Sequence, residues 1–320
     1  PPPPPSGPSP MSLGMVFDVG TRILRRHWGV LLLVSLLFVG PGALLSSATA
    51  LRFTEVFLDL FPELDGGVLV DTDRVFTAAE LERAVEGLLP FLGASLLAGV
   101  LGSIGALAFS ATVMEDYHAR PAASGTVLRR ALRRAPSALA FMLVTGLLIV
   151  GLTVIGLLGM SVATLILPAT GGGGGPGVFI ALVMAVGLAV ALVYLTMRWA
   201  PAYPVMVEED AGWREALRRA WHLSADSVLR IFAVSLIVAL LTTIISSVLG
   251  ALFEGRLGGV IGPALGLHEL VTSTIALAMA GVVVAPAMAV YTAVLYFDLR
   301  ARRDVPEPPP SQASPFDPSR

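Results

Sequence analysis

The stretch RWAPAYPVMVEEDAGWREALRRAWHLSADSVLR, Arg198–Arg230, lies between two long apolar runs and decides how the chain is read. A charged segment in that position is a connector on one side of a membrane. Arg198 and Trp199 close the run before it, and Pro201 and Pro204 interrupt regular structure. Glu208, Glu209 and Asp210 then stand where a helix opening near Ala211 would present its positive dipole end. That helix would carry Arg214, Arg218 and Arg219, with Arg214 and Arg218 one turn apart on one face. Leu217, Ala220, Trp221 and Val228 form its apolar side. The pattern predicts an amphipathic helix lying in the interface and feeding the chain into the next span.

The composition agrees. Hydrophobic residues fill 55% of the 320 positions, charged ones 14%, and the mean hydropathy is +0.80. A soluble domain carries about a quarter charged residues. The absence of cysteine excludes disulfides, thiolate metal sites and a cysteine nucleophile. Lysine and asparagine are absent too, so all 21 basic residues are arginine, for which GC-rich coding is the simplest source. No cleavable signal peptide is evident in PPPPPSGPSP; the chain opens within a longer one or starts near Met11. The Pro-rich ends, 1–13 and 305–320, are expected to be disordered.

Six apolar runs follow, at about 28–50, 88–114, 137–167, 178–197, 231–253 and 271–297. The expected fold is all-α, a polytopic bundle of six transmembrane helices over residues 14–304, with basic amphipathic helices in the cytoplasmic interface. Pro41 and Pro286 are expected to kink the first and last spans. The run 51–87 is a polar insertion with a turn at Asp65-Gly66-Gly67 and a capping box, Thr77 to Glu80, opening the helix into the second span. In that span Ala98 and Gly102, and Gly99 and Ser103, have the small-xxx-small spacing that allows close helix approach. The third run is over-long and should tilt or extend beyond the hydrocarbon. Its end at Pro168 leads into the Gly171–Gly175 loop, and residues 255–270 form a second glycine-rich loop.

Seventeen of the 21 arginines fall in the lead, the segment 115–137, the connector and the tail; Arg52, Arg74, Arg83 and Arg256 fall on the other side. This split predicts that both termini face the cytoplasm of a cell membrane. The acidic insertion 51–87 then faces out, and Trp28, Trp199, Trp213 and Trp221 line the inner boundary. The similar segments GTRILRR (20–26), GTVLRR (125–130) and GWREALRR (212–219) precede the odd-numbered spans, consistent with a threefold repeat or with charge bias alone.

The segment 198–231 resembles the "arginine, small residues, proline, acidic pair, EALRRSW-L" stretch of the glycerophosphoryl diester phosphodiesterase membrane-domain family, with Ala220 in place of the serine. The tail LYFDLRARRD, Leu295–Asp304, resembles that family's LYYDLRVR-type closing segment, and the lead FDVGTRILRRHWGVLL its opening. The resemblance covers 14–304 in outline and is sharp at 198–223 and 293–304. It implies a six-helix bacterial membrane unit of unassigned activity, not a hydrolase. The soluble catalytic barrel that follows this unit in some relatives has no counterpart in the sixteen residues after Asp304.

The residue inventory points the same way. His27, His118, His222 and His268 are isolated, and His268-Glu269 alone pairs histidine with a carboxylate, too few ligands for a metal. No GxSxG, P-loop or HExxH motif occurs. The chain is therefore expected to be no enzyme, with no cofactor. Two readings stay open: a structural or interaction module with an arginine-rich inner face, and a transporter or permease for an apolar or lipid-like substrate. No ionisable group lies mid-span, which weakens any ion path. The expected partners are the bilayer, with anionic headgroups on the arginines, and a protein on the cytoplasmic face, with no nucleic acid. The residues expected to make headgroup contacts or structural ion pairs are Arg198, Arg214, Arg218, Arg219, Trp221, Asp298, Arg300 and Arg302. Asp298 is the most pointed of these. It follows a long uncharged run and is expected where the sixth span meets water, either as a solvated acid at a helix end or paired with a cation: Arg302 at i+4, or Arg198, Arg218 or Arg219 across the connector.

Overall fold

A computed structural model describes residues 10–60, 77–169, 175–256 and 269–304. The Pro-rich ends apart from residues 10–13, the turn at 65–67, most of both glycine-rich loops and His268 lie outside the described residues. Among the described residues the chain is helical, with no strand. Helix α1 (Leu13–Arg26) precedes α2 (Trp28–Val34), a π-helical turn (Ser35–Val39) and α3 (Gly40–Leu60). Then come α4 (Ala78–Tyr117), α5 (Ser124–Ala169), α6 (Gly175–Trp199), α7 (Ala202–Glu208), α8 (Trp213–Leu223), α9 (Val228–Arg256) and α10 (Glu269–Asp304). Six stretches are long and apolar enough to cross a membrane: 28–59, 78–117, 124–160, 179–208, 228–256 and 271–303. The protein is a membrane-embedded all-α bundle.

The expected spans are all present, but most helices overrun them. The Thr77–Glu80 capping box opens α4, so the outer part of the expected insertion continues the second span as helix. Most of the basic segment 115–137, expected to lie outside the spans, forms the first turns of α5, a helix of 46 residues or about 69 Å. The three GTRILRR-like segments differ accordingly. The first and third are separate surface helices, whereas the second is continuous with its span.

Lipid supplies no hydrophobic drive between helices, so close packing and polar ties must hold the bundle. At the α3–α4 crossing a Cβ on Gly42 would fall 2.9 Å from the Cα of Ala98. The spans that carry Pro41 and Pro286 meet through a hydrogen bond. Pro286 lacks an N–H, which leaves the carbonyl of Val282, four residues earlier, without its helical donor. The buried Ser35 hydroxyl donates to that carbonyl at 2.5 Å. Ser35 opens the π-helical turn that precedes Pro41, where the Gly40 N–H bonds to the Ser35 carbonyl five residues back.

Two surface expectations are corrected. Residues 10–13 are ordered, because Ser12 caps α1 and the backbone of Met11 is held at both its N–H and its carbonyl. Helix α1 lies along α10 through Val16, Gly20 and Ile23, so closely that a Cβ on Gly20 would overlap the Tyr291 ring. Second, the connector is not all surface. Pro201 does break the chain as the N-cap of α7, but Pro204 sits within the first turn of that short helix, which is buried among α4, α5 and α10, with Ala202, Val205, Met206 and Val207 inaccessible. Helix α8 then opens at Trp213, capped by Gly212, and buries Ala216, Ala220 and Leu223. Trp221, expected on its apolar side, is 41% exposed.

Candidate functional site

The lead, the α4–α5 loop, the connector and the tail converge on one end of the bundle, as cross-chain hydrogen bonds between them require. This end carries the acids that terminate spans, and each of those described below meets a cation from another element. Asp116 accepts from His27 at 2.7 Å and lies 3.2 Å from Arg26. Glu115 accepts from Arg130, whose other amine donates to the carbonyl of Val207. Glu208 takes His118 at 3.0 Å and Arg300 at 3.7 Å. Glu209 accepts from the Tyr296 hydroxyl at 2.9 Å and from Arg219 at 3.3 Å. Asp210, in a left-handed conformation at φ 54°, pairs with Arg133 and Arg134. The Arg134 hydrogen bond, aided by Arg133, holds its carboxyl below the usual carboxylate range. The carboxylates read as a helix-dipole feature are therefore tertiary clasps.

Asp298 is the centre of the tightest knot. It is not at a helix end in water: α10 continues to Asp304, and Asp298 is 0% exposed. Its expected local partner is present, with Arg302 Nε at 3.2 Å. The expected connector partners Arg198, Arg218 and Arg219 are not the ones that reach it. Arg230 Nε donates to Oδ2 at 2.7 Å, and the Met11 N–H donates to Oδ1 at 2.6 Å. Arg230 and Arg302 also both donate to the Met11 carbonyl, at 2.6 and 2.9 Å. A buried carboxylate with two guanidiniums and a backbone donor is fully engaged, which is what makes such a group tolerable away from water. The knot joins the lead, α9 and α10.

The remaining predicted residues are dispersed. Arg198 donates to the Tyr194 hydroxyl and the Trp221 carbonyl, and its guanidinium stacks over the Trp221 ring at 4.5 Å. Arg214 lies over Trp213 at 5.0 Å, and Arg218 is exposed beside Glu209, Glu215, Arg219 and His222. Among the described residues, six exposed arginines at this end have no acid partner: Arg22, Arg25, Arg120, Arg129, Arg214 and Arg218. Arg22 and Arg25 lie on α1, Arg214 and Arg218 on α8.

Beneath this end is a cavity of about 430 Å³ between α4, α5, α6, α7, α9 and α10. Its lining is apolar apart from hydroxyls and the Trp199 indole. No sequence pattern signals it, since its walls come from six separate elements. Among the described residues no three His, Asp or Glu side chains come together as a metal site would require. Comparison with known proteins found no family model, no curated protein and no solved structure that matches the chain.

Proposed function

We propose that the chain is a non-catalytic multi-pass protein of the cell membrane, both termini cytoplasmic, that acts as an interaction module holding anionic lipid headgroups on its arginine-rich inner face. One observation carries this reading. Apart from Arg198, which is held by Tyr194 and Trp221, the described arginines at that end divide into a set paired with acids of the fold and a set of six exposed guanidiniums with no acid partner among the described residues. Each arginine near an anionic surface gains about 1 kcal/mol, and α1 and α8 offer two apiece beside the membrane boundary. The same face would receive a protein partner. The motif resemblance at 198–223 and 293–304 to the glycerophosphoryl diester phosphodiesterase membrane-domain family fits a six-helix membrane unit. The test is native mass spectrometry of the purified protein with mixed phosphatidylglycerol and phosphatidylcholine. Retention of phosphatidylglycerol over phosphatidylcholine, weakening as salt rises, supports the reading; equal retention of both removes it. The orientation is checked by cysteines at positions 70 and 308. Only Val70→Cys should react with an impermeant maleimide in intact cells, and reaction at Pro308→Cys alone would invert the topology.

The cavity favours a second reading, a transporter or permease for an apolar or lipid-like substrate. A volume of this size, lined almost wholly by carbon, has the dimensions of a small-molecule site.

A further inference from the structure

The polar atoms around the cavity are of two kinds. The hydroxyls of Ser110, Thr145, Thr196 and Thr292 each donate to the carbonyl four residues earlier in their own helix, so their hydrogens are already engaged. Trp199, Tyr203 and Ser235 also line the cavity, and their N–H and O–H groups find no acceptor among the described residues. Trp199 is only 9% exposed, and a buried donor without a partner needs an explanation. An indole N–H can only donate, so whatever satisfies it must bring an acceptor. No charged side chain is among the lining residues, so the acceptor belongs to a neutral molecule rather than to a carboxylate or phosphate.

The lining is also graded by depth. Trp199 ends α6 and Tyr203 lies in the first turn of α7, both next to the arginine-rich end, where indole and phenol groups favour the membrane boundary. Gly102, by contrast, lies roughly 22 Å along α4 from Tyr117, well into the apolar layer. A bilayer lipid has this arrangement, with carbonyl acceptors at the boundary and hydrocarbon below them. We propose that the cavity binds a neutral acyl-ester lipid, with an ester carbonyl at Trp199 and Tyr203 and the acyl chain running toward Gly102. The proposal deepens the permease reading by naming the substrate class, but it concerns equilibrium binding and needs no transport.

Two substitutions make it testable. A Cβ built on Gly102 meets nothing within 4 Å, so Gly102→Leu fills the cavity without an initial backbone clash. Tyr203→Phe removes the hydroxyl and keeps the ring against Phe141. The experiment is equilibrium binding of radiolabelled dioleoylglycerol to the purified full chain in detergent, with oleate, a long-chain quinone and hexadecane as parallel probes. Saturable dioleoylglycerol binding is expected, tighter than that of the other three. Gly102→Leu should abolish it, while Tyr203→Phe weakens it about five-fold and leaves hexadecane unchanged. Absence of saturable binding to the unaltered protein, preference for oleate or quinone, or an unchanged affinity in Tyr203→Phe would each overturn the proposal. If Gly102→Leu fails to fold, the Tyr203→Phe comparison still decides. Ester binding with no flux in proteoliposomes would remove the permease reading and keep the site. Quinone flux without ester binding would do the reverse.

Discussion

Asp298 and Arg230 are the residues whose pairing matters most to the fold. Arg230 Nε reaches a fully buried carboxylate, and removing it leaves that charge under-compensated, with only Arg302 and the Met11 N–H as partners. Arg230→Gln should therefore cost about 3 kcal/mol, read as thermal unfolding in detergent. In double-mutant cycles, Asp298→Asn should couple to Arg230→Gln by more than about 1 kcal/mol. Its coupling to changes at Arg198, Arg218 or Arg219 should stay below about 0.5 kcal/mol. The reverse order would put the knot in the wrong place. That Asp298 needs either water or a cation is legible in the sequence, because an acid ending a long apolar run must be hydrated or neutralised, and its burial leaves only the cation. The choice of cation is harder to read. Arg230 is the last charge before the fifth span, just as Asp298 is the first after the sixth. In an antiparallel hairpin of similar arms, α9 and α10, those two positions come level. Register thus favours Arg230, whereas the prominence of the EALRR motif draws attention to Arg218 and Arg219.

At the scale of elements, the two prolines are complementary defects. Pro286 frees the Val282 carbonyl, and the π-helical turn before Pro41 carries the serine that satisfies it. Ser35→Ala should then cost about 1–2 kcal/mol by orphaning a buried carbonyl. In a Pro286→Ala background the cost should shrink, because the restored N–H at 286 takes up the Val282 carbonyl within α10. Thermal unfolding of the four proteins measures this, and an undiminished cost in the second background would show that the hydroxyl serves something else. Kinks at Pro41 and Pro286 can be expected from sequence, since a proline's missing donor is a local fact. Their meeting cannot, because it depends on which spans are neighbours. The burial of α7 is hidden for a related reason. Ala202, Val205, Met206 and Val207 are apolar, but between two prolines and three acids they read as a surface linker.

At the scale of the whole molecule, hydropathy alone yields six spans and charge alone gathers the basic segments on one side. Neither shows that the arginines divide into two populations, because pairing is a tertiary property. Arg130, Arg230 and Arg302 hold elements together, whereas Arg22, Arg25, Arg214 and Arg218 stand exposed and without an acid partner among the described residues, available to headgroups. Repulsion between the two sets is small at physiological salt, where exposed charges are screened beyond about 8 Å. The most direct test neutralises each set to glutamine and reads two quantities on the same preparations: unfolding temperature in detergent and retained phosphatidylglycerol by native mass spectrometry. If the division is functional, the Arg22, Arg25, Arg214, Arg218 variant loses phosphatidylglycerol and keeps its unfolding temperature within about a degree. The Arg130, Arg230, Arg302 variant should instead unfold several degrees lower. A first variant that retains as much phosphatidylglycerol as the unaltered protein would contradict the proposed headgroup role.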